Sequence, residues 1–344
     1  MSHASLASHS SRILVAASWG LGEFVESMGG DKWRVFRNAR LKPSDLRDPL
    51  RDISVRQHCD LFEASARETG LADLGMRFGE SLQPRLLGPI GYLAASAPTL
   101  RAALETLCAY HPAHQSGALL SLSCRDKTAA LTYRVCDAEV SEVRQETEMT
   151  LTALCNIIRQ ALGACWSPDL MCFAHSRIHS SFRSYNVRFD RPSNSIYFRV
   201  DHLDTAMPSA DPYMAGLMRS ILEKRRRTAQ PATTVECVRQ RIELCLGEGV
   251  TTLERVAAQM GMNEYRVSTQ LARAGTSFNE LLKEARCALA LRYLRDESMQ
   301  LTEISLQLGY SELSAFSRAF RKWAGVSPQT YRRGQVLSCP RANA

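Results

Sequence analysis

The last third of the chain repeats itself, and the repeat constrains the fold more than any other feature. Val256, Ala257, Met260, Gly261, Met262, Asn263, Val267 and Leu271 recur as Ile304, Ser305, Leu308, Gly309, Tyr310, Ser311, Phe316 and Phe320, at an offset of 48 residues that grows to 49 after the turn. Each copy spells a short helix, a turn opened by Gly, an Asn or Ser placed to cap the next helix, and a second helix with apolar residues four apart. The Gly tolerates the left-handed backbone that ends the first helix. Val267 with Leu271, or Phe316 with Phe320, then pins the second helix and leaves its other face outward. Thr251 with Glu254 three residues later reads as a capping box that starts the first copy.

A single such unit also occurs as an αα-hairpin in ordinary cores, so one copy alone does not separate packing from DNA binding. Two copies joined by a stiff element narrow the choice. The intervening helix, Phe278 to Arg295, carries Phe278, Leu281, Leu282, Ala285, Leu289, Tyr293 and Leu294, enough apolar surface to bridge both units. Such a bridge sets two recognition helices on the order of 34 Å apart, one turn of B-DNA, so that both enter successive major grooves. The charge agrees. From residue 310 onward Arg318, Arg321, Lys322, Arg332, Arg333 and Arg341 face only Glu312, within a chain of net charge +8, a balance that suits an anionic partner.

At these residues the sequence resembles the AraC/XylS family of bacterial transcription regulators. The resemblance spans about Val250 to Arg333 and is strongest at Glu303-Ile304, Leu308-Gly309-Tyr310-Ser311, Phe316 to Lys322, Gly325-Val326-Ser327-Pro328 and Tyr331-Arg332. It implies that Ser327-Pro328 starts a last short helix, in keeping with proline's preference for a first helical position. It places Tyr265, Arg266, Ser268, Thr269 and Gln270 outward on the first recognition helix, and Glu312, Leu313, Ser314, Ser317 and Arg318 outward on the second. Thr269 stands where the family often has Arg, and Ser305 where it usually has Ala. Arg318 is the strongest candidate for a base or phosphate contact, because a guanidinium donates two bonds to guanine or to a phosphate; the competing reading is a surface ion pair with Glu312. Leu313 and Ala315 meet thymine methyls or pack. Arg321, Lys322, Arg332 and Arg333 are assigned to phosphates, which position the protein without reading sequence, against a reading as a solvated basic face.

Upstream, the period changes. Val55 to Gly70 reads as a helix; a second opens at Pro98 and ends near Tyr110. Leu120 to Cys124 and Leu131 to Val135 alternate around a polar turn as a β-hairpin, Glu142 to Gly163 is a long helix, and Met171–Ala174, Val187–Phe189 and Ile196–Val200 are strands. The expected fold is therefore an α+β N-terminal domain of strand pairs around a helix, plus an all-α C-terminal domain of two helix-turn-helix units joined by a bridging helix. The boundaries are 1–223, a linker at 224–234 that opens with the basic run Lys224 to Arg227, and 235–344, with the motifs near 252–273 and 301–324. Pro89-Ile90-Gly91-Tyr92, Pro98-Thr99-Leu100 and Val187-Arg188-Phe189-Asp190 make the first domain similar to the arabinose-binding-type sensor domain of an AraC subfamily.

Other chemistries lack a seat. The chain has 11 cysteines with no C-x-x-C pair, which fits a reducing cytoplasm. An alkyl-accepting cysteine, as in DNA-repair methyltransferases that share this DNA-binding fold, lacks its reactive-Cys motif and metal site. His111 with His114 and His175 with His179 have spacings one face can turn to a metal, but no further ligand accompanies them, so no metal site and no cofactor are expected. No G-x-S-x-G elbow, phosphate loop or H-E-x-x-H helix supports an enzyme. The run Ile13 to Ala17 is too short for a signal-peptide core, and no stretch is long and apolar enough for a bilayer, so a soluble protein without a membrane partner is expected. Tyr133, Met149, Phe173 and Phe189 line an effector pocket or fill the core. The resemblance implies double-stranded DNA, RNA polymerase and a small-molecule effector as partners, a homodimer, and activation over repression. The alternative is a ligand-independent regulator controlled by its abundance.

Overall fold

The computed structural model describes residues 11–333 apart from 138, 139, 141, 179–184, 229–233, 248–250, 261 and 296–298. Gly261, His179, Cys339, Arg341 and the stretch 229–233 of the expected linker therefore lie outside the described residues. The chain divides into two compact units.

The first unit runs β1 (Arg12–Leu14), α1 (Leu21–Ser27), α2 (Lys32–Asn38), β2 (Asp52–Ser54), α3 (Val55–Thr69), α4 (Leu74–Ser81), α5 (Pro89–Ala95), α6 (Leu100–His114), β3 (Ala118–Arg125), β4 (Thr128–Val135), α7 (Arg144–Leu162), β5 (Leu170–Cys172), β6 (Val187–Arg188), β7 (Asn194–Arg199) and α8 (Pro212–Thr228). Local chemistry sets the ends. Ser54 accepts from the Gln57 amide and Gln57 reaches back to Ser54, a capping box that starts α3, and Gly70 ends it with φ 68°. α6 is capped by Thr99, which accepts from the Ala102 amide at 3.2 Å, so Pro98 sits one residue before the cap rather than in the first turn. The helix also continues past Tyr110 to His114.

The expected hairpin forms as β3 and β4, with Arg125 paired to Thr128 and Asp126 in the left-handed region. The five-stranded sheet has the order β3-β4-β7-β5-β6, antiparallel except for β5 with β6. Val187–Phe189 and Ile196–Val200 are therefore not partners: β7 has both edges occupied by β4 and β5, and the two-residue β6 joins the far side of β5. Two three-residue strands, β1 and β2, pair through Ile13 and Ile53 in a small separate sheet. The basic run Lys224 to Arg227 belongs to the last turns of α8, not to a linker; Arg225 donates to Asp52 at 2.6 Å and to the Leu50 carbonyl at 3.1 Å, which fastens the helix to its own unit.

α7 is the spine of this unit. Leu151, Leu154, Cys155 and Ile158 join the sheet residues Leu131, Tyr133, Ile196 and Phe198 and the α6 residues Leu100, Leu104 and Leu107 in one apolar cluster. Met149 and Ala153, on another face, join a second cluster built from α1 to α4. α4 approaches so closely that a Cβ on Gly75 would stand 2.0 Å from the Gln145 carbonyl oxygen, and one on Gly79 would stand 2.3 Å from that of Met149. Gln145 uses this proximity: its Oε1 accepts from the Gly75 amide at 2.6 Å and its Nε2 donates to the Ala72 carbonyl at 2.8 Å.

Three buried histidines, His58, His111 and His114, make no ion pair among the described residues. Burial pushes the His58 imidazole down to about 3, His111 to about 4 and His114 to about 3. The unfolded chain takes up protons near 6.5 that the fold refuses, so stability is whole above that pH and falls as pH drops below it. His58, whose two ring nitrogens have no hydrogen-bond partner among the described residues, packs edge-on to Phe62. His58→Leu is expected to remove up to about 2 kcal/mol of the stability lost between about pH 6.5 and 5. Thermal unfolding at the two pH values checks it, and an unchanged pH dependence contradicts a neutral buried imidazole.

The second unit is all helical where described: α9 (Thr234–Gly247), α10 (Leu253–Gln259), α11 (Glu264–Arg273), α12 (Phe278–Tyr293), α13 (Leu301–Gln307), α14 (Leu313–Ala324) and α15 (Pro328–Arg332). The two repeats own separate cores. Val238, Ile242, Val256, Val267, Leu271, Leu281 and Leu282 fill the first; Tyr293, Leu294, Ile304, Leu308, Phe316 and Phe320 fill the second. α12 spans both, and Leu289 packs against each. Ser305 is buried in the second core and its hydroxyl has no hydrogen-bond partner among the described residues. Since a buried unpaired hydroxyl costs about 1–3 kcal/mol, Ser305→Ala is expected to raise the melting temperature of the unit; a drop in melting temperature contradicts the unpaired environment.

Candidate nucleic-acid interface

Each repeat exposes one face of its second helix for the same reason: the opposite face is anchored. Val267 and Leu271 of α11, and Phe316 and Phe320 of α14, are fully buried. Asn263 caps α11, its side chain accepting from the Arg266 amide at 2.8 Å. In the second repeat Gly309 takes φ 73°, the left-handed conformation that the turn needs. The cap of α14 is not Ser311, however. Glu312 occupies that position without a side-chain bond to the helix amides, and its carboxylate accepts instead from the Ser314 hydroxyl at 2.9 Å. The first repeat differs from expectation by one residue: Thr252, not Thr251, caps α10, accepting from the Arg255 amide at 3.2 Å, while Thr251 is buried. Extended backbone at Thr252 gives it the cap geometry, so the adjacent hydroxyl goes inward.

Among the outward residues of α11, Tyr265, Arg266 and Ser268 are exposed, and Tyr265 is 81% accessible. The Thr269 hydroxyl donates to the Tyr265 carbonyl at 2.8 Å, so it is engaged on its own helix, and the residue is half-buried. Gln270 does not point freely outward: its Oε1 accepts from the Thr234 hydroxyl at the start of α9, so it braces the helix. On α14, Ser314 and Arg318 are exposed and Ser317 is half-buried. Leu313 packs against the second core, so of its two expected roles the structure favours packing. The ion pair of Arg318 with Glu312 does not form; Arg318 makes no salt bridge among the described residues, and neither does Arg266.

Of the residues assigned to phosphates, Arg321, Lys322 and Arg333 are exposed. Arg332 is not: it is half-buried, with Nε and Nη2 shielded from solvent, which makes it a poor free contact. It lies on α15, which starts as the Ser327-Pro328 signal implies, with Ser327 accepting from the Thr330 amide at 3.1 Å and Pro328 in the first turn. Tyr331 of that helix meets Phe320 edge-on with centroids 5.7 Å apart, which backs α14 from behind.

One positioning residue escaped the sequence reading. Arg286 of α12 donates through Nε to the Leu308 carbonyl at 2.9 Å and through Nη2 to the Gly309 carbonyl at 3.3 Å, and its guanidinium lies 4.6 Å from the Tyr310 ring centroid. It satisfies carbonyls left over at the end of α13 and locks the turn to the bridge.

The result is a pair of anchored helices, each with an exposed arginine, on one helical scaffold. Residues 29–207 match the family model described as the arabinose-binding domain of AraC transcription regulator, and residues 256–334 match a helix-turn-helix domain. The HTH-type transcriptional regulator VirS of Mycobacterium tuberculosis is 27% identical over 91% of this chain and 94% of its own. The ornithine utilization regulator of Pseudomonas aeruginosa is 24% identical over 92% and 95%. The crystal structure of the regulator CdpR from Pseudomonas aeruginosa aligns over 88% of this chain and 98% of its own at 19% identity, with a TM-score of 0.41. With a sensor-type model over its first half and the two-repeat reading unit after it, the chain belongs to the AraC family of DNA-binding transcriptional regulators.

Proposed function

We propose that the chain is an effector-gated transcriptional activator that acts in the cytoplasm as a homodimer and engages RNA polymerase at its promoters. The sensing module ends with α8 and the reading module opens with α9. The observation that carries the reading is the exposure of Arg266 and Arg318, without salt-bridge partners among the described residues, on helices whose other faces are fixed in separate cores. A guanidinium held this way is ready to donate in pairs to guanine. Tyr265, Ser268 and Thr269 accompany Arg266 at base edges, and Ser314 and Ser317 accompany Arg318. Arg321, Lys322 and Arg333 hold phosphates; Gln270, Leu313 and Arg332 support the helices from within.

The gating step follows from the two-unit layout: a ligand that binds one arrangement of the dimer better than another shifts DNA affinity by that difference. The rival, control by abundance alone, is favoured if nothing binds the first unit. As for catalysis, the related proteins are transcriptional regulators, and we assign this chain no reaction.

A footprint of the full-length protein on the DNA flanking its own gene supplies the operator. On that operator and its single-base variants, Arg318→Ala is expected to cost about 1–3 kcal/mol and to relax preference at one base pair. A uniform loss across sequences makes it a phosphate contact, and no loss removes it from the interface. Arg321→Ala is expected to weaken all sequences alike and to reduce the slope of log affinity against log salt by about 1; titration at several salt concentrations measures it.

A further inference from the structure

The first unit holds a cavity bounded by α5, α6, β3 and α7, partly open to solvent, with about 40 Å³ in which the centre of a water-sized molecule can move. Leu87, Ile90, Leu107 and Leu120 give it an aliphatic body, and His111, His114, Gln115 and Thr150 give it one polar wall. Of the four aromatic and Met residues singled out in the sequence, Met149 alone lines it.

The polar wall is short of partners. Gln115 is buried at the end of α6, where its Oε1 accepts from the Tyr133 hydroxyl at 3.0 Å, yet its Nε2 has no hydrogen-bond partner among the described residues. The same holds for Nδ1 of His111 and Nδ1 of His114, both on buried side chains. These three orphaned polar atoms belong to residues that line one cavity, though each is itself shielded, so an occupant relieves their standing desolvation cost by drawing the side chains toward it. An amide NH₂ only donates, so the occupant must offer an acceptor oxygen.

Charge decides between kinds of oxygen. No Lys, Arg, Asp or Glu is among the lining residues, and burial leaves both imidazoles neutral. A carboxylate would enter without a counter-ion, a cost of several kcal/mol. We infer that this cavity is the effector site and that it takes a small, uncharged, mainly aliphatic molecule with a carbonyl oxygen, seated on Gln115 Nε2 between His111 and His114. The inference rests on the reading that the first unit senses a ligand.

The test uses the full-length protein, with 2-heptanone and hexanamide as uncharged carbonyl probes and hexanoate at about pH 8, where it is ionised. Both carbonyl probes are expected to raise the melting temperature in a saturable way, since a ligand of the folded state stabilises it, and hexanoate to bind at least about tenfold more weakly. Gln115→Leu removes the donor and is expected to weaken the carbonyl probes about tenfold. Ala153→Leu fills the cavity from α7 and is expected to abolish binding, its own melting curve showing that it folds. No shift with either carbonyl probe, as when ordered water already satisfies the wall, overturns the inference; so do equal shifts in wild type and Ala153→Leu, or a preference for hexanoate. Anisotropy on operator DNA separates the two levels. Probe binding that leaves DNA affinity unchanged keeps the site and overturns gating, whereas a compound that changes DNA affinity equally in wild type and Ala153→Leu keeps gating and overturns this site.

Discussion

The reading unit depends on one helix being shared by two cores. α12 buries Leu281, Leu282 and Ala285 in the first repeat and Ala290 and Tyr293 in the second, with Leu289 between. A continuous hydrogen-bonded helix does not bend cheaply. The two repeats are thus held by side chains that occupy successive turns of one rod, and the second helices inherit their placement from it. Arg286 adds a polar fastening at the second end, where packing alone would leave the Leu308 and Gly309 carbonyls unpaired.

The first unit solves a different problem, since its helices and sheet pack around a cavity. α7 does this by serving two clusters from different faces: Met149 and Ala153 turn to the helical cluster and Leu151 and Ile158 to the sheet. The cavity opens where these faces meet, which is why it is lined by Met149 and Ala153 from one cluster and by Leu120 and Leu154 from the other. An occupant there touches both packings at once.

What was legible in the sequence was periodic or local. The repeat, the hairpin and the long helix announce themselves because apolar residues recur at the period of the element that buries them. Asn263 was readable as a cap because its partner amide is three residues away. Thr251 and Thr252 were not distinguishable, since both are hydroxyls and only the backbone decides which one turns out. β1 and β2 are three residues each and pair across 40 positions of chain, too short for alternation to show. In the interface, exposure of Arg266 and Arg318 followed from the burial of their neighbours, but the brace from Gln270 to Thr234 and the fork of Arg286 join elements that are distant in sequence. Nothing in local spacing marks them. Arg225 misled for the same reason: a basic run looks like a solvated connector until Asp52 is brought beside it.

The close contact of Gly75 and Gly79 with the α7 backbone limits how such a sensor can diversify. At that seam every added carbon collides with main chain, which has no rotamer to yield. Residues facing the hollow, such as Leu107 and Leu120, have empty volume in front of them and tolerate exchange for other apolar shapes at modest cost. The shape of the chamber is therefore open to drift along its walls, while the pair of glycines at the α4–α7 seam stays frozen.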